Sequence, residues 1–269
     1  MEKYGYSQNV ITSLKDIDTN STNFYTYNNL HFLSKQKKNN TNLVIFFHGI
    51  VPLPLDPFED PLDRIVFRGY GWEIEKTDIV CISDYLLGVY KDWITNWWLP
   101  TKNYDVDKIY KNLFTYLINN KSYDNIIFTG TSAGGYPSIK YASYFNCNAL
   151  VSNTQTYPQH YTLFPKMVKI LKNNGDKLLY TEKEIEKYIL EGNMKKLTLF
   201  FNIKDVTFKT YIPPFINFIY KDCKKLKTIF DIHLFSDNAI LPENRDYHYM
   251  TFPNGKKHLE ILKNYLKKL

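Results

Sequence analysis

The chain has 269 residues, 44% of them hydrophobic and 17% aromatic, so it can bury a large core and is not disordered as a whole. Its formal net charge of +7 comes from scattered lysines, which are typical of a solvated surface but would also favour an anionic polysaccharide as a partner. No zinc-finger, helix-turn-helix or RNA-recognition signature accompanies this charge, so we expect no nucleic-acid partner.

The three cysteines, Cys81, Cys147 and Cys223, are widely spaced and odd in number, which predicts neither a disulfide framework nor a metal site. No His-Glu-x-x-His pattern occurs, so no metal is expected. The N-terminal residues lack an apolar signal segment, and no apolar run is long enough to span a bilayer. These features predict a soluble cytoplasmic protein with no transmembrane segment.

Two short apolar runs in the first third of the chain have the pattern of buried parallel strands. Residues 42–47, NLVIFF, end at a His-Gly pair, and residues 78–83, DIVCIS, form a similar run. Four prolines in residues 51–64 predict a loop between them. The polar residues 1–30 predict one strand at most.

Strands and helices alternate in the middle of the sequence. Residues 105–118 have apolar side chains at helical spacing, and Asp105 is a suitable N-cap. A strand at 125–130, a helix ending near Phe145 and a strand at 149–153 follow. This alternation predicts a parallel sheet with helices on both faces.

Residues 157–195 interrupt the alternation with two predicted helices, the second of which carries a capping box formed by Thr181 and Glu184. We interpret this segment as a small helical insertion that could act as a lid within a single domain of residues 1–269. The remaining predicted elements are a strand at 196–202, a helix at 209–221, a strand at 228–235 and a terminal helix at 255–269.

Residues 130–134, GTSAG, match the pattern G-x-S-x-G. A predicted strand leads into the motif and a predicted helix follows it, which is the arrangement of a nucleophile elbow. Ser132 is therefore the candidate nucleophile, and the N–H of Ala133 is a candidate donor to an oxyanion. The alternative is a glycine-rich turn in which Ser132 only caps the helix.

This elbow, the strand that ends at His48-Gly49 and the order of elements resemble the α/β-hydrolase superfamily over about residues 40–269. The resemblance implies an α/β-hydrolase-like, mostly parallel sheet with helices on both faces. It also implies that the loop after His48 supplies a second oxyanion donor, the N–H of Gly49 or of Ile50.

A nucleophilic serine needs a base to accept its proton, and the base needs an acid to orient it. In the hydrolase order the acid follows a strand after the elbow, and the histidine comes last. The resemblance therefore implies Asp205, just beyond the strand at 196–202, as the acid and His248 as the base. The alternatives for these two residues are a solvated turn aspartate and a surface histidine.

Other residues compete for the same two roles. Asp84 and Asp237 are weaker candidates for the acid, and His258 is the alternative base.

Three segments of the sequence support a narrower resemblance: GTSAGGYPSIKYA, VSNTQTYPQHY and NIKDVTFKTYIPPF. They resemble a branch of serine acyl-transfer proteins found with bacterial capsule and cell-surface glycan synthesis, which includes polysaccharide O-acetyltransferases. In that branch a glycine usually precedes the histidine, whereas Tyr247 precedes His248 here.

The narrower resemblance implies transfer of an acetyl group from acetyl-CoA, through an acyl-enzyme, to a hydroxyl of a surface polysaccharide. A carboxylesterase or deacetylase and a non-catalytic glycan-binding protein of the same fold are the alternatives.

Several residues are candidates for binding the substrate. Asn153 and Gln155 follow the strand after the elbow, where the alternative is a role in a turn. His48 lies in the predicted oxyanion region. Trp97 belongs to the segment DWITNWWLP, whose three tryptophans would either form a platform for sugar rings or seal the core, and we prefer the core.

Overall fold

The computed structural model describes residues 8–50, 67, 69–90, 92–95, 97–222, 224–236 and 257–269. The predicted base His248, the rival acid Asp237 and the predicted loop at 51–64 lie outside the described residues.

The described residues form nine strands and six α-helices. The strands are β1 (Gln8–Ile11), β2 (Thr22–Tyr27), β3 (Leu30–Lys35), β4 (Asn42–Phe47), β5 (Thr77–Ile82), β6 (Asn125–Thr131), β7 (Asn148–Ser152), β8 (Lys196–Asn202) and β9 (Ile229–Phe235). The helices are α1 (Val106–Asn119), α2 (Gly135–Tyr144), α3 (Phe164–Asn173), α4 (Glu184–Glu191), α5 (Phe208–Asp222) and α6 (His258–Leu266).

The chain divides into two compact units. The first comprises Met1–Ile126 and Thr162–Thr181, and its strands have the order β1-β2-β3-β5-β4. The second comprises Ile127–Tyr161 and Glu182–Leu269, and its strands β6, β7, β8 and β9 are consecutive and all parallel. In the first unit β1–β2 and β4–β5 are parallel, and the other two pairs are antiparallel. The prediction of a mostly parallel α/β sheet is confirmed.

The N-terminal segment is more regular than the sequence predicts, because residues 8–35 contain three strands. Strands β2 and β3 are antiparallel and pair from Tyr27 with Leu30 outwards. Asn28 and Asn29 connect them with φ of 48° and 62°. Two consecutive residues with positive φ are the requirement of a tight hairpin turn, and asparagine adopts this conformation readily. The Asn-Asn pair was the signal for the hairpin.

The predicted helix ends are partly correct. Asp105 caps α1 as predicted, since its Oδ1 accepts a hydrogen bond from the N–H of Lys108 at 3.1 Å. The predicted capping box is wrong, because α4 begins at Glu184 and its N-cap is Lys183, with φ of 63° and no side-chain cap. A residue in the left-handed region at this position leaves Thr181 outside the helix.

The predicted insertion at 157–195 contains both predicted helices, α3 and α4. The two helices belong to different units, since residues Thr162–Thr181 cluster with the first unit and Glu182 begins the last part of the second. The single-domain organisation and the function as a lid remain predictions.

A buried histidine in the first unit makes stability depend on pH. His31 on β3 is 6% exposed, its ring stacks on Phe24, and its Nδ1 lies 3.0 Å from Thr26 Oγ1. Burial lowers the pKa of His31 from 6.5 to about 4, because a charged imidazolium would lose its solvation there.

We expect the free energy of unfolding to fall as the pH is lowered from about 6.5 to about 4, because the unfolded chain binds a proton at His31 that the folded chain excludes. Above about pH 6.5 the neutral His31 contributes fully to the free energy of unfolding. At about pH 4 the loss of this contribution amounts to about 3 kcal/mol. Urea unfolding of the wild type and of His31→Phe between pH 7 and 4.5 measures it. Equal pH dependence in the two proteins would contradict the prediction.

Candidate functional site

The G-x-S-x-G motif forms a sharp turn between β6 and α2. Ser132 has φ of 56°, in the left-handed region that residues other than glycine rarely adopt. Its side chain is buried at 1% exposure, and within the described part of the chain its hydroxyl makes no hydrogen bond. Buried hydroxyls are normally bonded, and strained backbone is concentrated at functional sites. The positive φ at a strand-to-helix turn is the property expected of a nucleophile elbow. An elbow also exposes its serine oxygen above the sheet, whereas the Ser132 hydroxyl is buried here.

The glycine after the motif is required by close packing. A Cβ at Gly135, the first residue of α2, would overlap the side chain of Thr154 and lie 3.2 Å from its Cα. The loop that follows β7 therefore packs directly on the first turn of α2. The positive end of the helix dipole and its free N–H groups also lie at this turn.

The loop after β7 holds the elbow and connects it to the next strand. The N–H of Gln155 donates to the carbonyl of Ser132 at 3.1 Å, and Gln155 is fully buried. Asn153 has φ of 44°, and its Oδ1 accepts a hydrogen bond from the N–H of Asn202 at 2.8 Å. The N–H of Asn153 donates to the carbonyl of Phe200 at 2.9 Å. Both residues thus occupy the position that the sequence predicts, next to the elbow.

The predicted acid follows β8 and is held firmly. Asp205 is 3% exposed, and its N–H donates to the carbonyl of Asn202 at 2.9 Å. Its Oδ1 accepts two hydrogen bonds from Thr207, one from the N–H at 2.8 Å and one from the hydroxyl at 2.5 Å. A carboxylate with one oxygen fixed in this way has a defined orientation.

These loops lie at one edge of the second unit. Strands β6, β7 and β8 are parallel neighbours, with Thr131 opposite Ser152 and Ser152 opposite Phe200. The elbow, the Gln155 loop and the Asp205 loop all follow the carboxyl ends of these strands. The structure therefore places Ser132, Gln155 and Asp205 in three consecutive loops at that edge.

The alternative base His258 contacts β6 through its Nε2. It is the first residue of α6, and its Nε2 lies 2.7 Å from Thr129 Oγ1 on β6. The Thr129 hydroxyl donates its single proton to the carbonyl of Leu150 at 2.6 Å, so the Nε2 of His258 must be the donor to Thr129. In the neutral form of this tautomer Nδ1 carries no proton, so His258 remains the alternative to His248 as the base.

His48 lies in the first unit and has a structural role. Its Nε2 accepts a hydrogen bond from the N–H of Asp84 at 3.0 Å, so its Nδ1 carries the proton and donates to the carbonyl of Gly49 at 2.5 Å. The ring is 1% exposed and packs on Trp98. Because the backbone occupies both ring nitrogens, we replace the predicted role in substrate binding with one in positioning the loop of Gly49 and Ile50.

Two further sequence candidates are used structurally. Asp84 lies in the first unit, and its Oδ1 accepts from the N–H of Leu86, which caps a short 3₁₀ helix. Trp97 is 1% exposed and packs against Phe164, and Trp93 and Trp98 are fully buried. An indole buried in this way offers no face to a sugar, so the prediction that these tryptophans seal the core is confirmed and Trp97 is not a substrate-binding residue.

Across the described ranges no group of three His, Cys, Asp or Glu side chains is arranged to hold a metal ion. Nor does any helix in those ranges combine the length and the apolar character needed to cross a membrane.

Burial raises the pKa of the thiols of Cys81 and Cys147 to about 12, so both are protonated at neutral pH.

The fold of this chain is similar to that of several solved structures. No protein-family model matches the sequence, and no curated protein is significantly similar to it. Among solved structures, the capsule O-acetyltransferase of Neisseria meningitidis serogroup A is similar, with a TM-score of 0.56 and 12% identity over 80% of this chain and 86% of that one. A fluorophosphonate-binding serine hydrolase of Staphylococcus aureus is also similar, with a TM-score of 0.52 and 10% identity over 92% of this chain and 94% of that one. The chain has an α/β-hydrolase-like fold. At these identities the similarity shows the fold alone.

The candidate site also contains residues that the sequence analysis missed. Thr207 fixes the carboxylate of Asp205, Asn202 joins the loops after β7 and β8, and Thr154 packs on the helix of the elbow. A threonine two residues after an aspartate, as in Asp-Val-Thr here, is a local signal for the first of these contacts. The other two depend on contacts between loops that no local pattern encodes.

Proposed function

We propose that this protein is a serine acyl-transfer enzyme with Ser132 as the nucleophile, His248 as the base and Asp205 as the acid. The observation that carries the proposal is the backbone conformation of Ser132, which lies in the left-handed region at a strand-to-helix turn. Nothing in the packing of the turn uses its hydroxyl, which has no hydrogen bond among the described residues. Strain without a structural use is best explained by chemistry.

The reaction would proceed in two halves. In the first, Ser132 Oγ attacks the carbonyl carbon of the acyl donor while His248 accepts the hydroxyl proton. The N–H of Ala133 stabilises the resulting oxyanion. The intermediate collapses to an acyl-enzyme when the bond between the acyl carbon and the sulfur or oxygen of the donor breaks, and this leaving group departs with the proton from His248. In the second half, His248 activates an acceptor hydroxyl, which takes the acyl group and restores Ser132.

The spacing of the loops is compatible with this arrangement. The loops of Ser132 and Asp205 follow strands that are two positions apart, or about 10 Å between strand axes. A triad histidine lies between its acid and its serine and makes one hydrogen bond to each. Asp205 would stabilise the imidazolium form of His248, and Thr207 would keep the carboxylate oriented towards it.

Acetyl-CoA is the proposed donor and a hydroxyl of a bacterial surface polysaccharide the proposed acceptor. Three sequence segments that resemble polysaccharide O-acetyltransferases support this choice, and the capsule O-acetyltransferase with a similar fold is consistent with it. We place the protein in the cytoplasm, where acetyl-CoA is available and where the buried free thiols Cys81 and Cys147 would stay reduced. With water as acceptor, the same acyl-enzyme gives an esterase or deacetylase.

Release of free CoA from acetyl-CoA, measured with and without capsule-type polysaccharides, tests the acceptor. A transferase is expected to release CoA faster when a suitable polysaccharide is present, and the acetyl group should appear on the polysaccharide in equal amount. An esterase would release acetate at the same rate with or without it. If the protein neither turns over acetyl-CoA nor forms an acyl-enzyme with it, the choice of donor is wrong.

A further inference from the structure

Strand β9 lies at the edge of the sheet in the second unit. Within the described ranges it pairs with β8 alone. It is seven residues long and contains neither proline nor lysine, two of the residues that commonly protect an edge strand from pairing. Two of its apolar side chains, Ile229 and Leu234, are 65% and 46% exposed. Such an edge is suited to pairing with another strand.

The backbone groups at this edge belong to alternate residues of β9. The strands β8 and β9 are parallel, and in a parallel pair every second residue directs both its N–H and its C=O to the same neighbour. The N–H of Ile229 donates to the carbonyl of Lys195 at 3.1 Å, and the carbonyl of Phe235 accepts from the N–H of Ile203 at 2.8 Å. The odd-numbered residues of β9 therefore face β8. The even-numbered residues direct their backbone groups to the outer edge; they are Phe230, Ile232 and Leu234.

We propose that β9 pairs with β9 of a second copy of this chain, antiparallel and about a twofold axis, which is the commonest symmetry of homo-oligomers. The outward-facing backbone groups of the two copies must lie opposite each other, so the axis passes through one residue of the strand. Centring on Asp231 would place two carboxylates opposite each other, which opposes pairing. Centring on His233 would leave Asp231 opposite Phe235 of the partner subunit. The register centred on Ile232 has neither defect, and it pairs all seven residues of the strand.

In the register centred on Ile232, β9 is complementary to itself along its whole length. Asp231 lies opposite His233 of the partner subunit, and the reverse pair lies on the other side of the axis. Positions of this kind carry no backbone hydrogen bonds, and their Cα atoms are about 4.5 Å apart, so the side chains are close. The remaining positions pair apolar residues with each other; these pairs are Ile229 with Phe235, Phe230 with Leu234, and Ile232 with its own copy. A twofold interface requires such self-complementarity, whereas pairing with an unrelated strand does not.

Asp231 and His233 already form a polar pair on one face of β9. His233 Nε2 lies 2.8 Å from Asp231 Oδ1, and Lys196 Nζ lies 2.9 Å from Asp231 Oδ2. The hydrogen bond from Lys196 lowers the pKa of Asp231, so the carboxylate is charged at neutral pH. The His233 ring stacks on Phe200 of β8, with the ring centroids 4.6 Å apart, which fixes the plane of the imidazole. Both side chains are partly exposed, so two carboxylates and two imidazoles would alternate around the axis of the dimer.

The even-numbered residues supply the backbone hydrogen bonds of the dimer. Ile232 lies opposite its own copy, and Phe230 lies opposite Leu234 of the partner subunit, each in a pair that exchanges two N–H to C=O bonds. The sheets of the two second units become continuous. The exposed Ile229 and Leu234 gain apolar partners, which adds a hydrophobic contribution to the association.

Sedimentation velocity of the full-length protein over a range of micromolar concentrations tests the proposal. We expect a species with twice the 31.9 kDa mass of the chain. Leu234→Pro removes one outward N–H and leaves the hydrogen bonds to β8 in place, so it should weaken dimerisation at least about tenfold while circular dichroism shows a folded chain. Leu234→Ala is the matched control, because it truncates the same side chain but keeps the N–H, and it should dimerise more strongly than the proline variant.

Exchange of the two polar residues tests the register. His233→Asp places carboxylates of the two copies opposite each other and should shift the protein towards the monomer. Adding Asp231→His to this variant again places an acid opposite an imidazole and should restore the dimer. Rescue by the second substitution would not occur if either residue served only the stability of its own chain.

Disulfide cross-linking gives a second test of the register. Oxidation of Ile232→Cys should give a covalent dimer, since the Cα atoms of a hydrogen-bonded pair are about 5.5 Å apart, which suits a disulfide. Phe230→Cys is the control, because its own copy lies four residues further along the partner strand, about 13 Å away.

Each result supports or overturns the proposal. A monomer at every concentration would overturn it and leave a strand of another protein as the partner of this edge. A dimer that Leu234→Pro leaves intact would place the interface elsewhere, and cross-linking of Phe230→Cys in preference to Ile232→Cys would reject the register. None of these measurements depends on acyl transfer, so the dimer and the proposed function are tested separately.

Discussion

Replacing Ser132 with alanine is expected to abolish labelling by a fluorophosphonate and to lower the rate of acyl transfer by at least about 10⁴-fold. The hydroxyl is the atom that forms the covalent intermediate, and no other side chain at the elbow can replace it. Since that hydroxyl has no hydrogen bond among the described residues, its removal should cost little stability. Labelling is read by mass spectrometry, and folding by circular dichroism.

The same position gives a test of the elbow that does not depend on activity. Ser132→Gly should be more stable than Ser132→Ala by about 1 kcal/mol, because alanine keeps a strained left-handed conformation that glycine adopts freely. In ordinary helices the order is reversed, and alanine is favoured over glycine by about 1 kcal/mol. Urea unfolding of the two variants measures the difference.

Ser143, near the end of α2, is the matched control. It is buried like Ser132, but its hydroxyl donates to the carbonyl of Ile139 at 2.8 Å within a regular helix. Ser143→Ala should keep the label, and Ser143→Gly should be less stable than Ser143→Ala. Labelling that persists in Ser132→Ala would show that another residue reacts, and the same stability order at both positions would show that the turn is not strained.

The parallel part of the fold could be predicted because a strand that is buried on both faces has a continuous run of apolar residues in the sequence. Residues 42–47 and 196–202 are such runs, and the structure has strands at both. In the N-terminal segment the sequence predicts one strand at most, because polar residues are interspersed in β2 and β3 and only the turn at Asn28 and Asn29 marks the hairpin.

The candidate site was predictable where it depends on one local turn and on the order of the strands. Ser132 follows from the motif, and Gln155 and Asp205 lie where the ends of the next two strands place them. His48 and Trp97 illustrate the limit. Histidine and tryptophan suit both binding sites and cores, and only burial and hydrogen-bond partners, which depend on distant segments, distinguish the two uses.

The largest loss of stability is expected from Asp78, a fully buried carboxylate at the start of β5. Its Oδ1 accepts hydrogen bonds from the N–H of Lys37 at 3.0 Å and from the amide of Asn40 at 2.6 Å. Its Oδ2 lies 2.7 Å from Lys121 Nζ and accepts from the hydroxyl of Tyr123 at 2.8 Å. Burial, followed by the charge of Asp78, raises the pKa of Tyr123 well above its usual value, so this hydroxyl stays protonated and donates.

Asp78→Ala should lower the free energy of unfolding by about 3–5 kcal/mol, because it removes one partner of a buried ion pair and leaves several hydrogen-bond donors without an acceptor. Asp78→Asn keeps the size and one acceptor oxygen but loses the charge, so it should fall between the alanine variant and the wild type. Asp124 is an exposed aspartate next to Tyr123 in the sequence, and Asp124→Ala is the control, which should change stability by no more than about 0.5 kcal/mol. Urea unfolding at pH 7 measures all three, and an Asp78→Ala midpoint equal to that of the control would show that these contacts contribute nothing to the stability of the first unit.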